Sequence, residues 1–214
     1  MRLIGLTGGI ATGKTTVSDY LSKTYQVPIW DADIYAREAV QTGSAILENI
    51  IKRYGANLLL PNGSLNRRQL GEIVFNNQTE LRWLEQQIHP YVRDRLSQNI
   101  QQFSLENSKS GQTNLTNLIS IRANFPSPTA VLVVPLLFEA KMTDLVTEIW
   151  VIYTSPQQQV ERLMKRDRLT QQQAYSRINQ QMSIQDKCKQ ADVVLDNSST
   201  LQVLLRQIDS AFLQ

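Results

Sequence analysis

A glycine-rich octapeptide at residues 8–15, Gly-Gly-Ile-Ala-Thr-Gly-Lys-Thr, constrains the fold of this chain more than any other segment. It fits the pattern G-x-x-x-x-G-K-[ST], in which backbone N–H groups surround phosphate oxygens. The apolar run at residues 3–6 precedes it as a short buried strand, and residues 16–25 follow as a helix. The N-terminus of that helix adds a positive dipole for an anion. The segment therefore predicts a strand–loop–helix unit that binds a nucleoside triphosphate.

The residues of this loop have distinct predicted tasks. Glycines let the backbone approach the phosphates, Lys14 reaches the β- and γ-phosphates, and the Thr15 hydroxyl coordinates Mg²⁺. A glycine-rich turn that carries a lysine by chance is the structural alternative, and the complete strand, glycine, lysine and hydroxyl pattern disfavours it. The residues that we expect to contact the nucleotide are Gly8, Gly9, Ile10, Ala11, Thr12, Gly13, Lys14, Thr15 and Thr16.

Composition excludes several classes of protein. The chain has 214 residues, 42% hydrophobic and 19% charged, which suits one α/β domain with an inserted subdomain. The net charge of +3 does not indicate a nucleic-acid partner, because an enzyme for polyphosphates also needs basic residues. The single cysteine, Cys188, rules out an internal disulfide. Since no signal-peptide pattern or long apolar stretch occurs, we expect a cytoplasmic protein with no membrane partner.

Strand-like and helical runs alternate along the chain, which is typical of an α/β fold with a doubly wound, mostly parallel sheet covered by helices on both faces. Two of the runs lie before residue 31, and three lie after residue 129. The five predicted strands are Arg2–Thr7, Val27–Trp30, Ala130–Val134, Glu148–Tyr153 and Asp192–Leu195.

The segments between and after the predicted strands differ in composition and in the spacing of their apolar residues. Residues 36–103 predict a helical insertion suited to a second substrate, because the two runs 36–54 and 67–103 have apolar positions at helical spacing, with a turn at residues 61–63 between them. Residues 104–128, rich in serine and asparagine, predict a flexible insertion. Residues from about 160 to 185 carry the main basic cluster on one or two helices and predict a lid. The nucleotide-binding core then comprises residues 1–35 and 129–214.

Two aspartates, Asp31 and Asp33, follow the second predicted strand. In an open parallel sheet, ligands bind outside the carboxyl ends of the strands, so both aspartates should face the phosphate loop. One carboxylate then orients Mg²⁺ or its waters, and the other, Asp33, accepts the proton of an attacking hydroxyl. A helix-capping role is the structural alternative for either residue alone.

Four arginines lie between residues 162 and 177, and two of them, Arg162 and Arg166, share a helix face because they are four residues apart. Such side chains neutralise charge on a transferred phosphoryl group when a mobile lid closes. A solvated basic face with Glu161 and Asp167 as local partners is the alternative. Two absences narrow the function further: no N-K-x-D guanine-reading motif occurs, and the third strand lacks a terminal aspartate. A GTP switch and a motor ATPase are therefore disfavoured.

These motifs together resemble the dephospho-coenzyme A kinase family over almost the whole chain apart from residues 104–128. The most specific pair is Ile88-His89-Pro90 with the segment Val-Pro-Leu-Leu-Phe-Glu at residues 134–139. The chain departs from the family at Ala11, where a glycine is usual. The matching segments are residues 5–10, 13–17, 31–33, 36–37, 65–68, 73–75, 88–90, 134–139, 162, 166–167 and 196–197.

The resemblance implies a P-loop kinase-like fold and ATP-dependent phosphorylation of the ribose 3′-hydroxyl of dephospho-coenzyme A, the final step of coenzyme A biosynthesis. It implies that Asp33 is the general base, that Asp31 lies on the magnesium side, and that Asn197 lies in the adenine-side loop. It also assigns Arg162 and Arg166 to the lid. The acceptor positions that it implies are Arg37, Arg68, Phe75, His89 and Pro90.

The expected ligands are thus ATP, Mg²⁺ and dephospho-coenzyme A, and the expected assembly is a monomer or small homo-oligomer. Another small-molecule kinase, of the shikimate or nucleoside monophosphate type, shares the loop, the acidic pair and the arginine lid, and is the nearest alternative. A nucleotide-binding regulator without an acceptor is the more distant one, since the aromatic and basic surface that binds single strands is not evident.

Overall fold

The computed structural model describes residues 1–75, 77–109 and 127–214. These residues form two compact units, each with its own hydrophobic core. The first, the core unit, comprises residues 1–31 and 99–214, and the second, the helical unit, comprises residues 32–98.

The core unit is built on a five-stranded sheet in which each neighbouring pair of strands is parallel. The strand order is β2-β3-β1-β4-β5, so the chain builds outward from β1 first on one side and then on the other. The loop after β1 therefore opens at the topological switch point, where open parallel sheets bind ligands. The α/β class predicted from the sequence is confirmed. The strands are β1 (Arg2–Gly8), β2 (Ile29–Asp31), β3 (Thr129–Val133), β4 (Glu148–Tyr153) and β5 (Val193–Asp196).

Helices connect these strands and make up most of the helical unit. Two short 3₁₀ turns, Ala56–Leu58 and Thr143–Leu145, lie between them. The boundary between the two units falls inside α5. The helices are α1 (Lys14–Tyr25), α2 (Ala32–Glu38), α3 (Ala45–Tyr54), α4 (Arg67–Val74), α5 (Gln78–Lys109), α6 (Pro156–Asp167), α7 (Gln171–Ile178), α8 (Ile184–Lys189) and α9 (Leu201–Phe212).

Side-chain caps divide the two long helical runs that apolar spacing predicts. The Ser44 side chain accepts a hydrogen bond from the Leu47 N–H at 3.1 Å and starts α3. The Asn77 side chain accepts from the Thr79 N–H at 3.0 Å at the beginning of α5. Such caps satisfy backbone donors that the first turn of a helix leaves without a partner. The apolar spacing continues across both caps, so periodicity alone does not locate these breaks.

Helix α5 is 32 residues long and includes residues 104–109, the beginning of the predicted flexible insertion. The following part of that insertion, residues 110–126, lies outside the described residues. Pro90 lies inside α5, where its ring nitrogen has no hydrogen to donate. Within the described ranges, neither α5 nor another helix is long and apolar enough to cross a membrane.

A single arginine fixes the edge of the core unit opposite the loop. The Arg2 guanidinium donates to the Glu148 carboxylate at 2.8 Å and to the backbone oxygen of Phe212 at 2.7 Å. The second contact places a positive charge on the last carbonyls of α9, where the helix dipole favours it. Arg2 thereby joins β1, β4 and α9 around the buried Trp150.

The helical unit has a separate apolar core and a charged cluster beside it. The Arg53 guanidinium donates two hydrogen bonds to the Glu80 carboxylate, at 2.7 and 3.0 Å, and the Tyr54 hydroxyl donates another. The bonds from Arg53, and then the bond from Tyr54, lower the pKa of Glu80 from 4.5 to about 2. The buried apolar residues of the helical unit are Ala39, Val40, Leu47, Ile50, Leu58, Leu65, Leu70 and Val74.

Candidate active site

The predicted phosphate loop connects β1 to α1, and its backbone requires glycine at two positions. Gly8 and Gly13 have φ angles of +149° and +104°, which residues with a side chain rarely adopt. A Cβ atom at Gly8 would also lie 2.6 Å from the Ile152 backbone oxygen, and one at Gly13 would overlap the side chain of Asn197. Ala11 adopts a left-handed φ of +61° at a cost of about 1 kcal/mol relative to glycine. The loop therefore accepts alanine at position 11, where the resemblance leads us to expect glycine, with only modest backbone strain.

Positive charge is concentrated where this loop meets α1. The Lys14 ammonium donates to the backbone oxygens of Gly8 at 3.1 Å and Gly9 at 2.8 Å, so the side chain curls over the loop. Thr15 and Thr16 are exposed in the first turn of α1. The N-terminus of this helix adds its own positive potential. The arrangement suits an anion bound between Lys14 and the helix N-terminus.

Asn197, just after β5, supports the loop from behind. Its side-chain amide donates to the Thr12 backbone oxygen at 2.8 Å, while its own N–H donates to the Tyr153 backbone oxygen at 2.8 Å. The Asn197 backbone oxygen accepts from the Arg162 guanidinium at 2.9 Å. Thr12 is buried, and its hydroxyl donates to the Gly9 oxygen at 2.9 Å. Asn197, which the resemblance assigns to the adenine-side loop, and Arg162, which it assigns to the lid, therefore both lie beside the phosphate loop.

Two glutamines that the sequence analysis did not single out hold the loop at Ile10. The Gln159 side chain, which is 3% exposed, donates to the Ile10 backbone oxygen at 2.8 Å. The Ile10 N–H donates to the side-chain oxygen of Gln181 at 3.0 Å. A cavity of about 410 Å³ lies beside both glutamines and Gly9. Glutamines in polar helices are common, so the sequence carried no signal that would have distinguished these two.

Two arginines of the predicted lid, Arg166 and Arg177, pair with one nearby carboxylate. Asp167 accepts from Arg166 at 2.8 Å and from Arg177 at 2.9 Å. The hydrogen bond from Arg166 is the main cause that lowers the pKa of the Asp167 carboxyl below its ordinary value. Arg166 is more than half exposed, and Arg162 has the contact with Asn197 described above. Arg162 therefore lies against the loop support, whereas Arg166 is paired at the end of α6.

The two predicted acidic residues differ in position and exposure. Asp31 is the last residue of β2 and pairs in register with Val133 of β3, which itself pairs with Leu6 of β1. Asp31 is therefore half-buried at the carboxyl edge of the sheet, the edge from which the phosphate loop leaves. Asp33 lies two residues further along, exposed in the first turn of α2, and belongs to the helical unit.

Three of the predicted acceptor residues lie at the end of α4 or on α5. Phe75 follows the last residue of α4, with 47% of its surface exposed. His89 is half-buried and Pro90 is exposed in the middle part of α5. All three belong to the helical unit.

The arginines of the helical unit are not equivalent. Arg68 has a side chain that is 91% exposed and pairs with Glu72 at 3.3 Å. Its neighbour Arg67 donates to the backbone oxygen of Arg37 at 3.0 Å and lines a cavity of about 430 Å³. Burial, and then the positive charge of Arg37, lower the pKa of Arg67. Arg67 is therefore a better candidate for an anionic substrate group than Arg68, a distinction that two adjacent arginines do not show in sequence.

The segment at residues 134–139 contributes a buried ion pair. The Lys187 side chain is fully buried and donates to the Pro135 backbone oxygen at 2.9 Å and to the Glu139 carboxylate at 2.9 Å. Glu139 also accepts from the Met182 N–H at 2.9 Å. The Thr7 hydroxyl donates to the same Pro135 oxygen at 3.1 Å. This network joins the ends of β1 and β3 to the segment that carries Gln181.

The donor atoms at the carboxyl edge of the sheet fit Mg²⁺ bound together with a nucleotide. Thr15 offers a hydroxyl and Asp31 a carboxylate, and oxygen is the ligand that Mg²⁺ prefers. Among the described residues, no group of three or more histidine, cysteine or acidic side chains forms a metal cluster. Mg²⁺ usually binds through one or two protein oxygens, phosphates and waters rather than in an all-protein cage. The donor set is therefore adequate for Mg²⁺ once phosphates are present.

Comparison with known proteins identifies the family. The family profile described as dephospho-CoA kinase matches residues 2–118 and 113–202. The chain belongs to the dephospho-CoA kinase family. A dephospho-CoA kinase from Trichormus variabilis is 55% identical, over 98% of this chain and 96% of its own length. One from Synechocystis is 51% identical, over 99% of this chain and 94% of its own.

Solved structures agree with this membership. A dephospho-CoA kinase from Campylobacter jejuni superposes with a TM-score of 0.67 and 25% identity, covering 99% of this chain and 96% of its own. A shikimate kinase from Bacteroides thetaiotaomicron reaches a TM-score of 0.51 at 13% identity, which shows a shared fold alone. The resemblance seen in the motifs and the P-loop kinase-like fold are both confirmed.

Proposed function

We propose that this dephospho-CoA kinase family member transfers the γ-phosphoryl group of ATP to the ribose 3′-hydroxyl of dephospho-coenzyme A, giving coenzyme A and ADP. Membership of the family carries the proposal. The glycine geometry of the loop and the position of Lys14 support binding of a polyphosphate. The reaction requires little covalent work from the protein, so positioning and electrostatics supply the rate.

On the donor side, the loop N–H groups and Lys14 bind the β- and γ-phosphates. Lys14 then exchanges the backbone oxygens of Gly8 and Gly9 for phosphate oxygens, which are stronger acceptors because they are charged. Thr15 and Asp31 would hold Mg²⁺ at the carboxyl edge of the sheet, and the bound ion would supply positive charge to the phosphate oxygens.

On the acceptor side, Asp33 takes the proton of the ribose hydroxyl as the new P–O bond forms. Arg37 and Arg67 bind the anionic groups of the acceptor, and His89 and Pro90 belong to the same acceptor-binding helical insert. This assignment adds Arg67 to the set expected from sequence and makes Arg68 peripheral.

The lid supplies the remaining charge. Arg162 lies close to the loop through Asn197, so a small movement of α6 brings its guanidinium to the phosphates. Arg166 must first leave Asp167, so its action depends on a rearrangement of the lid. Closure excludes water, which would otherwise hydrolyse ATP. We place the enzyme in the cytoplasm, because a chain with one cysteine suits a reducing compartment. We expect it to act as a monomer or small homo-oligomer.

An acceptor screen tests the function. The chain is incubated with Mg·ATP and dephospho-coenzyme A, shikimate, nucleoside monophosphates or buffer alone, and ADP release and product mass are followed. We expect dephospho-coenzyme A alone to gain one phosphoryl group. The matched control is the 3′-deoxy analogue of dephospho-coenzyme A, which should bind without being phosphorylated. Phosphorylation of shikimate or a monophosphate instead, or of the 3′-deoxy analogue, would contradict the proposal.

A pair of adjacent substitutions tests the acceptor assignment. Arg67→Met should raise KM for dephospho-coenzyme A by about 10-fold, because one charge-assisted hydrogen bond to an anion is lost. Arg68→Met removes the same charge from the neighbouring residue, whose side chain is almost fully exposed, and should change the KM for dephospho-coenzyme A little. Equal effects of the two substitutions would show that charge alone, rather than the position of Arg67, matters.

A further inference from the structure

Both backbone polar groups of Ile10 are held by glutamine side chains, and the two contacts have opposite polarity. The Ile10 oxygen accepts from the Gln159 amide nitrogen at 2.8 Å. The Ile10 N–H donates to the Gln181 amide oxygen at 3.0 Å. A carbonyl needs a donor and an N–H needs an acceptor, so the orientation of each amide follows from its backbone partner. One glutamine therefore donates a hydrogen bond to the backbone of Ile10, and the other accepts a hydrogen bond from it.

Both glutamines are fixed from elsewhere in the core unit. Gln159 is buried on α6, with 3% of its surface exposed. Gln181 precedes Met182, whose N–H donates to the Glu139 carboxylate at 2.9 Å. Glu139 in turn pairs with the fully buried Lys187. The position of the Gln181 backbone is thus tied to the core, and the side chain is presented to the loop from a fixed point.

We propose that Gln159 and Gln181 are positioning residues for ATP, which hold the two peptide groups on either side of Ile10 so that the following loop N–H groups face the phosphates. The proposal rests on the function proposed above, because ATP is the ligand that supplies those phosphates. Donors that are oriented in advance stabilise phosphate charge without reorganising when the substrate binds. The two contacts that Gln159 and Gln181 make with Ile10 are called the clamp below. Because both glutamines belong to the region of α6–α8, the clamp also couples the predicted lid to the phosphate loop.

Matched variants separate the clamp from general packing. Gln159→Met and Gln181→Met remove each contact while keeping side-chain length. Gln181→Glu keeps an oxygen that accepts from the Ile10 N–H, whereas Gln159→Glu replaces the donor with a carboxylate facing a carbonyl. Gln172→Glu adds the same charge at an exposed position of α7 and serves as the charge control. The ATP dissociation constant is measured by calorimetry without acceptor, together with both KM values and the melting temperature.

We expect each methionine variant to bind ATP about 3- to 10-fold more weakly, the effect of one neutral hydrogen bond. The KM for dephospho-coenzyme A should stay within about two-fold, because the acceptor does not depend on the clamp. Gln181→Glu should bind ATP like Gln172→Glu, and Gln159→Glu should bind ATP more weakly than Gln159→Met. This asymmetry is specific to the polarity of the two contacts.

Unchanged ATP affinity in both methionine variants would overturn the proposal. So would a parallel loss of affinity for both substrates with a lowered melting temperature, since that result assigns the glutamines to packing alone. ATP binding needs no acceptor, so a wild-type chain that binds ATP without phosphorylating dephospho-coenzyme A would refute the proposed function and leave the test of the clamp intact. If Gln159→Glu does not fold, the methionine variants decide the question.

Discussion

The ion pair between Lys187 and Glu139 predicts an unequal response to removing either partner. Lys187 is fully buried, whereas the Glu139 side chain keeps 22% of its surface exposed. Glu139→Gln leaves a buried ammonium without its counter-charge, which costs about 3–5 kcal/mol in buried pairs. Lys187→Met leaves a carboxylate that water and the Met182 N–H can still satisfy, so the loss is nearer the ~2 kcal/mol of hydrogen bonds to a charged group.

We therefore expect Glu139→Gln to lower the free energy of unfolding more than Lys187→Met does. At about 2–4 °C per kcal/mol for a chain of this size, the melting temperature should fall by roughly 6–20 °C and 4–8 °C respectively. The double variant should be more stable than Glu139→Gln alone, because it no longer buries an unpaired charge. Urea titration followed by circular dichroism at pH 7 gives the ranking. A Lys187→Met variant that is the less stable of the two, or strictly additive effects, would refute this reasoning.

The other predictions address chemistry and pH. Lys14→Ala should lower turnover by about 10²-fold or more, because it removes a charge aimed at the transition state, and steady-state kinetics measure it. Asp33→Asn should abolish phosphoryl transfer with ATP binding retained; normal transfer would exclude Asp33 as the base. The stability that Glu80 contributes should be complete above pH 4.5 and lost as pH falls towards 2, because its folded-state pKa is the lower one. Acid titration of Glu80→Gln should be flatter over that window, and an identical profile would contradict it.

Local chemistry in the sequence was sufficient for the loop and the sheet. A G-x-x-x-x-G-K-[ST] run between a strand and a helix has few other structural solutions, and the φ angles at Gly8 and Gly13 show why glycine is needed there. Apolar runs placed all five strands within two residues of their observed bounds. The helix breaks at Ser44 and Asn77 were missed, because a side-chain cap competes with a periodicity that continues through it.

The predicted site residues were identified from motifs, and the roles assigned to them are proposals. Motifs could not rank Arg67 above Arg68, because exposure depends on which face of α4 meets the cavity. Nor could they show which of the two nearby acidic residues, Glu161 or Asp167, pairs with Arg166, because the side-chain conformation selects among possible partners.

The sequence by itself determined the fold class, the phosphate loop and the family, since these depend on short motifs and on the order of strand-like and helical runs along the chain. The tertiary structure alone decided what holds the loop in place. Asn197, Gln159 and Gln181 contact the loop across separations of 149 to 185 residues. Polar side chains of this kind satisfy whichever backbone group the fold brings within about 3 Å, and no local pattern encodes that partner.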